Sequence, residues 1–190
     1  MATQKLNTIR INAGEWRSRL IKFPDAEGLR PTPERVRQTV FNWLGQDLAG
    51  QTCLDLFAGT GVMGFEALSR GTTSTTLVEK SMPAYKALLE NKQLLKAENA
   101  QIFHQDALQF LAQNLATTKQ KFNLVFLDPP YNQAWLAKVL PLLAEHLHEN
   151  GVIYAEAEFA IDSTHEFAQN WQVIKQSKAG NVFYHLLKSA

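Results

Sequence analysis

At 190 residues with 45% apolar content, the chain can bury one full core, about the size of a single α/β domain with a short appendage. Its one cysteine, Cys53, lies in an apolar run, which excludes a disulfide framework or thiolate cluster and points to a reducing compartment. No apolar stretch reaches membrane-spanning length and the opening MATQKLNTIR lacks the hydrophobic block of a signal peptide, so a cytoplasmic protein is expected. The net charge of +1 hides an asymmetry: residues 1–37 carry eight basic against four acidic groups, net +4, and the remainder nets −3. Six of the eight are arginines (Arg10, Arg17, Arg19, Arg30, Arg35 and Arg37), suited to bidentate phosphate contacts, so a polyanionic partner is expected on this segment.

In chain order, Thr8 to Ile11 and Leu20 to Phe23 read as short strands around Asn12–Gly14, a small hairpin projecting from the core. Trp16, set among Arg17 and Arg19, could stack on a base or anchor the ribbon. Pro24 to Pro33 is loop, with Gly28, Pro31 and Pro33 breaking any periodicity. Thr32 then reads as the N-cap of a helix to Leu44 that buries Val36, Val40, Trp43 and Leu44 and leaves Arg35, Gln38 and Asn42 available to a ligand.

The stretch TCLDLFAGTGVMG, residues 52–64, is a buried strand ending in a tight loop that delivers Gly59 and Gly61 to a helix N-terminus, where unpaired N–H groups favour an electron-rich ligand group. Gly59, Gly61 and Gly64 fit the G-x-G-x-x-G spacing, and Glu79 ends the next apolar run where a ribose-binding carboxylate would stand. A nucleoside cofactor is implied. Beyond it strand and helix signals alternate: strand 75–79, helix 82–96, strand 100–104, Asp106 capping helix 107–115, strand 122–127, helix 134–147 interrupted by Pro141, and strand 151–156. Ser163 with Glu166 reads as a capping box, and 171–177 with 182–187 as an antiparallel hairpin. The expectation is an α/β fold: an open, mostly parallel sheet with one antiparallel strand, helices on both faces and ligand at the carboxyl ends of the strands.

At those ends Asp128, Pro129, Pro130 and Tyr131 follow strand 122–127 directly. Two prolines stiffen the backbone and leave carbonyls and the Asp128 carboxylate as acceptors beside an aromatic ring, an array suited to a planar, amine-bearing base. The five histidines show no metal-ligand spacing, and no metal is expected.

DLFAGTG, Glu79, QDAL and DPPY together resemble the class I S-adenosylmethionine-dependent amino-methyltransferases. The pieces RINAGEWRSR, LRPTPERVRQTVFNWL and SRG at 69–71 narrow the resemblance to the RsmD-type bacterial enzymes, which methylate the exocyclic N2 of a guanine in 16S ribosomal RNA; it runs from about Ile9 to the C-terminus. Ser18 departs from it where the family commonly has glycine, and Glu15 where a basic residue is frequent.

The resemblance implies a Rossmann-like seven-stranded sheet, with residues 1–33 a basic hairpin and loop for RNA contact and 34–190 the methyltransferase domain. It implies that Asp55, Ala58, Gly59 and Gly61 surround the methionine part of the cofactor, that Glu79 accepts from the ribose hydroxyls, and that Asp106 with the Ala107 backbone reads the adenine edge. Asp128 and the Pro129 carbonyl would accept from the target amine while Tyr131 stacks on the base. The implied partner is 16S ribosomal RNA or a small-subunit particle, with guanine 966 the implied target, met by a monomer. A DNA adenine-N6 methyltransferase would share DPPY but normally needs an added target-recognition region. A nicotinamide-dependent oxidoreductase would leave DPPY and the basic ribbon unexplained, and a non-catalytic RNA-binding module would not need both half-sites.

Overall fold

The computed structural model describes residues 6–26, 29–131 and 134–190; Gly28 and the charges of Lys5 and Glu27 lie outside them. The elements are β1 (Leu6–Arg10), β2 (Leu20–Pro24), α1 (Glu34–Leu44), β3 (Thr52–Asp55), α2 (Val62–Ser69), β4 (Ser74–Glu79), α3 (Met82–Leu95), β5 (Ala100–His104), α4 (Ala107–Ala116), β6 (Phe122–Leu127), α5 (Trp135–Leu143), β7 (Leu147–Ala157), β8 (Trp171–Ala179) and β9 (Val182–Ser189). Seven strands form one sheet in the order β5-β4-β3-β6-β7-β9-β8, in which only β9 runs against its neighbours. The expected sheet, with its single antiparallel strand, is what forms.

Alternation along the strands divides the core in two. On β6 and β7, Leu124, Phe126 and Tyr154 join Val36, Val40 and Phe41 of α1, Phe65 and Leu68 of α2 and Leu88 and Leu95 of α3 on one face. Val125, Leu127, Ile153 and Ala155 pack on Phe110 and Leu111 of α4 and Leu136, Val139 and Leu140 of α5 on the other. Pro141 sits inside α5 rather than interrupting it, and the chain passes through a 3-10 turn, Ala144–His146, into β7.

β1 and β2 pair antiparallel as expected, but the ribbon does not project. Ile11, Trp16 and Ile21 are buried in the same cluster as α1 and α2, and Asn91 of α3 clasps the Lys22 backbone, accepting from its N–H at 2.9 Å and donating to its carbonyl at 2.7 Å. Gly14, at φ +81°, lets the turn close on the end of α2: a Cβ there would stand 1.8 Å from the Ser69 carbonyl oxygen. Around it the Glu15 N–H donates to the Ser69 carbonyl, the Trp16 N–H to Ser69 Oγ, and Ser69 Oγ to the Ala13 carbonyl. The GEWR and SRG motifs are thus two sides of one contact.

Two capping expectations are corrected. α1 starts at Glu34 with Pro33 at its cap and no side-chain cap bond, while Thr32 is buried ahead of it. Instead of a Ser163 capping box, Asp162 accepts from the Thr164 N–H ahead of a single 3-10 turn, Glu166–Ala168.

Candidate active site

The loop after β3 is shaped by its own carboxylates. Gly61, at φ +77°, caps α2 in the left-handed region; its absent Cβ leaves room for Leu88 and Phe65, which a side chain would meet at 2.4 and 2.8 Å. Asp55 Oδ2 accepts from the Gly64 N–H at 3.0 Å, and Glu79, ending β4, accepts from the Gly59 N–H at 2.8 Å and the Ser81 N–H at 2.6 Å. Each Glu79 oxygen keeps acceptor capacity for a diol. Ala58 is fixed by its N–H on the Val78 carbonyl. Asp106 caps α4, accepting from the Leu108 N–H at 3.0 Å, and pairs with Lys80 at 3.2 Å; Ala107 follows, buried. Asp55, Ala58, Gly59, Gly61, Glu79, Asp106 and Ala107 therefore share one rim, at the carboxyl ends of β3, β4 and β5.

Asp128 leaves β6 on the same rim, half-buried, with Pro129 buried and Tyr131 43% exposed, open to stacking. Beneath Asp128 lies an acidic floor. Leu127 of β6 is level with Ala155 of β7, so the next residues, Asp128 and Glu156, neighbour each other at the strand ends. Glu156 is 6% exposed and accepts from the Tyr154 hydroxyl at 2.6 Å. Burial, then the charges of Glu156 and Asp55, push Asp128 well above the usual carboxylate range. Burial raises Glu156 too, against the Tyr154 hydrogen bond. Burial lifts Asp55 to about 7, the Gly64 N–H opposing and the Glu79 charge adding to it. Such a floor favours a ligand that brings positive charge.

Sequence reasoning missed Glu156, Tyr154 and Thr32 as site residues. The available signal was an acidic residue ending an apolar strand beside the DPPY strand. Two proposed RNA contacts are corrected. Trp16 is 5% exposed, packed in the core, and cannot stack on a base. Arg37 is 1% exposed and bonded to Glu66 at 3.3 Å, the Arg10 carbonyl at 3.0 Å and Asn12 Oδ1 at 3.3 Å. Glu66 also pairs with Arg70 at 2.7 Å, so Arg37 belongs to an internal ion triad. Arg10, Arg17, Arg19, Arg30 and Arg35 are exposed, though Arg19 Nη2 donates to the Leu94 carbonyl at 2.6 Å. No group of potential metal ligands occurs among the described residues, and none of their helices is long and apolar enough to cross a membrane.

The family model described as "Conserved hypothetical protein 95" matches residues 9–188, nearly the whole chain. The ribosomal RNA small subunit methyltransferase D of Escherichia coli (strain K12) is 39% identical over 180 residues, 94% of this chain and 88% of that protein. The chain belongs to this family, the RsmD family. A solved Escherichia coli structure, yhhF, with a provisional methyltransferase designation, is 35% identical and superposes with a TM-score of 0.82 over 96% of this chain and 98% of its own. The fold extends to a Thermus thermophilus 16S rRNA N2 G1207 methyltransferase solved with AdoMet and guanosine: TM-score 0.74, 16% identity, covering all of this chain and 52% of that one.

Proposed function

We propose that this RsmD-family protein is an S-adenosylmethionine-dependent ribosomal RNA methyltransferase acting on the exocyclic N2 of a guanine in small-subunit RNA, guanine 966 being the base that the family resemblance implies. The observation that carries the reading is the juxtaposition, on one rim, of the Gly59–Glu79 cradle with Asp128, Pro129 and Tyr131. Glu79 suits the ribose diol, Asp106 and the Ala107 backbone suit the adenine edge, and the acidic floor with Asp55 suits the cationic end of the cofactor. When bound, the cofactor supplies an electrophilic methyl group on a sulfonium. That another protein of this fold binds AdoMet and guanosine supports the assignment.

The chain's own residues handle the amine. A guanine N2 is a weak nucleophile because its lone pair is delocalised into the ring. Asp128 and the Pro129 carbonyl accept its N–H bonds, align it and stabilise the positive charge that develops on nitrogen. Tyr131 stacks on the extruded base. Asp128→Ala should cut single-turnover methylation roughly 10²- to 10³-fold and leave cofactor affinity nearly intact. A near-wild-type rate would remove Asp128 from this role. Mass spectrometry of small-subunit RNA from cells lacking the protein tests the target, and a fully methylated guanine N2 there would refute it.

A further inference from the structure

We propose that Glu156 is a positioning residue for the transfer: held by the Tyr154 hydroxyl beside Asp128 at the neighbouring strand end, it makes Asp128 the acceptor of the proton that the methylated amine must lose. The proposal rests on the reading of Asp128 given above. Its geometry is independent of that reading. Glu156 follows Ala155, which is level with Leu127, near the end of β7, and it is 6% exposed and accepts from the Tyr154 hydroxyl at 2.6 Å.

The proton balance requires such a group. As the N–C bond forms and the S–C bond breaks, the bonding pair leaves with sulfur and N2 carries positive charge. One N2 proton must then depart for the neutral methylamino product to form. A carboxyl raised above its ordinary value of about 4 is a stronger acceptor of that proton than a lone exposed aspartate. Two neighbouring carboxylates cannot both ionise without cost, so the pair holds a proton far more readily than either alone. The groups facing Asp128 all act in this direction: Glu156 from β7 and Asp55 from β3 bear like charge. Tyr131, on the same loop as Asp128, is itself raised by burial, then by the charges of Asp128, Glu156 and Glu158. Glu156 in turn faces Tyr154, whose hydroxyl donates to it, and Thr32 ahead of α1. The Tyr154 bond holds its carboxylate in place beside Asp128.

Glu156→Gln keeps an acceptor for the Tyr154 hydroxyl and a polar group for Thr32 while removing the charge. The test titrates ligand-free wild type, Glu156→Gln and Asp128→Asn by infrared difference spectroscopy, reading the C=O stretch of protonated carboxyl groups. The Asp128 band, identified by its loss in Asp128→Asn, should disappear at a pH lower by roughly one unit in Glu156→Gln. The acidic limb of single-turnover methylation on small-subunit ribosomal RNA should move down with it. A band and a limb that both stay in place in Glu156→Gln overturn the proposal. Wild-type rates and pH profile in Asp128→Asn would overturn instead the acceptor role on which it rests, so the two failures are distinguishable.

Discussion

The Gly59 N–H donates to Glu79 Oε2 at 2.8 Å across the gap between the loop after β3 and the end of β4. One carboxylate therefore fixes the loop that it would share with a bound nucleoside. Because its other oxygen takes the Ser81 N–H at 2.6 Å, the group is oriented before any ligand arrives. Glu79→Ala should weaken S-adenosylmethionine binding by about 1–3 kcal/mol, the scale of losing hydrogen bonds to a charged acceptor. Titration calorimetry measures it; unchanged affinity would take Glu79 out of the site.

Asp55 gives the ligand-free protein a pH dependence of definite sign. Burial lifts its carboxyl from the ordinary 3.8 to about 7, so between those values the folded state keeps a proton that the unfolded state has released. Stability should fall as pH rises through this window, with no cost below it and the full cost above it. Asp128 and Glu156, also raised, add to the same slope. Asp55→Asn keeps an acceptor for the Gly64 N–H and removes one contributor, so urea unfolding should show a smaller loss between pH 5 and pH 8 than in wild type. Equal losses in the two proteins would contradict the assignment.

The Gly-rich loop, Glu79, Asp106 and DPPY were legible because each stands at a strand end, and in a parallel sheet all strand ends that follow the same direction share a rim. The fate of the N-terminal charges was not. Arg37 and Arg35 are indistinguishable by type and both lie on α1, yet Arg37 faces Glu66 of α2, an ion pair joining residues 29 positions apart. Trp16 was open between two roles until the Gly14 turn closed on Ser69. Glu156 was visible as a strand residue, but its chemistry depends on β6 bringing Asp128 beside it, which only the strand register decides.

Ser18 occupies the left-handed region at φ +69°, in the turn where its N–H bonds the Ile11 carbonyl. The family resemblance has glycine here, and the backbone supplies the reason. Left-handed geometry costs a non-glycine residue about 1 kcal/mol, part of which glycine gives back through unfolded-state entropy. Ser18→Gly should be neutral to stabilising by up to ~0.5 kcal/mol, and Ser18→Val should destabilise by about 1–2 kcal/mol. Denaturant melts of the three proteins decide it; a valine variant as stable as wild type would show that the turn relaxes at no cost.

The exposed arginines and the buried one should part company in a single pair of measurements. Arg17 and Arg35 carry exposed guanidinium groups, whereas Arg37 is enclosed with Glu66. Replacing Arg17 and Arg35 together by alanine should leave folding stability within ~0.5 kcal/mol of wild type. It should weaken RNA binding and lower the slope of log affinity against log salt by roughly one to two units, as two phosphate contacts would. Arg37→Ala should do the reverse, costing about 3 kcal/mol of stability because it strips one of two cations from a buried carboxylate. Its RNA salt slope should match wild type wherever the variant remains folded. Salt titrations of RNA affinity beside urea melts would check both arms. Equal slopes and heights for wild type and the double variant would mean that RNA is gripped elsewhere, and an Arg37 variant of wild-type stability would mean that Arg70 alone neutralises Glu66.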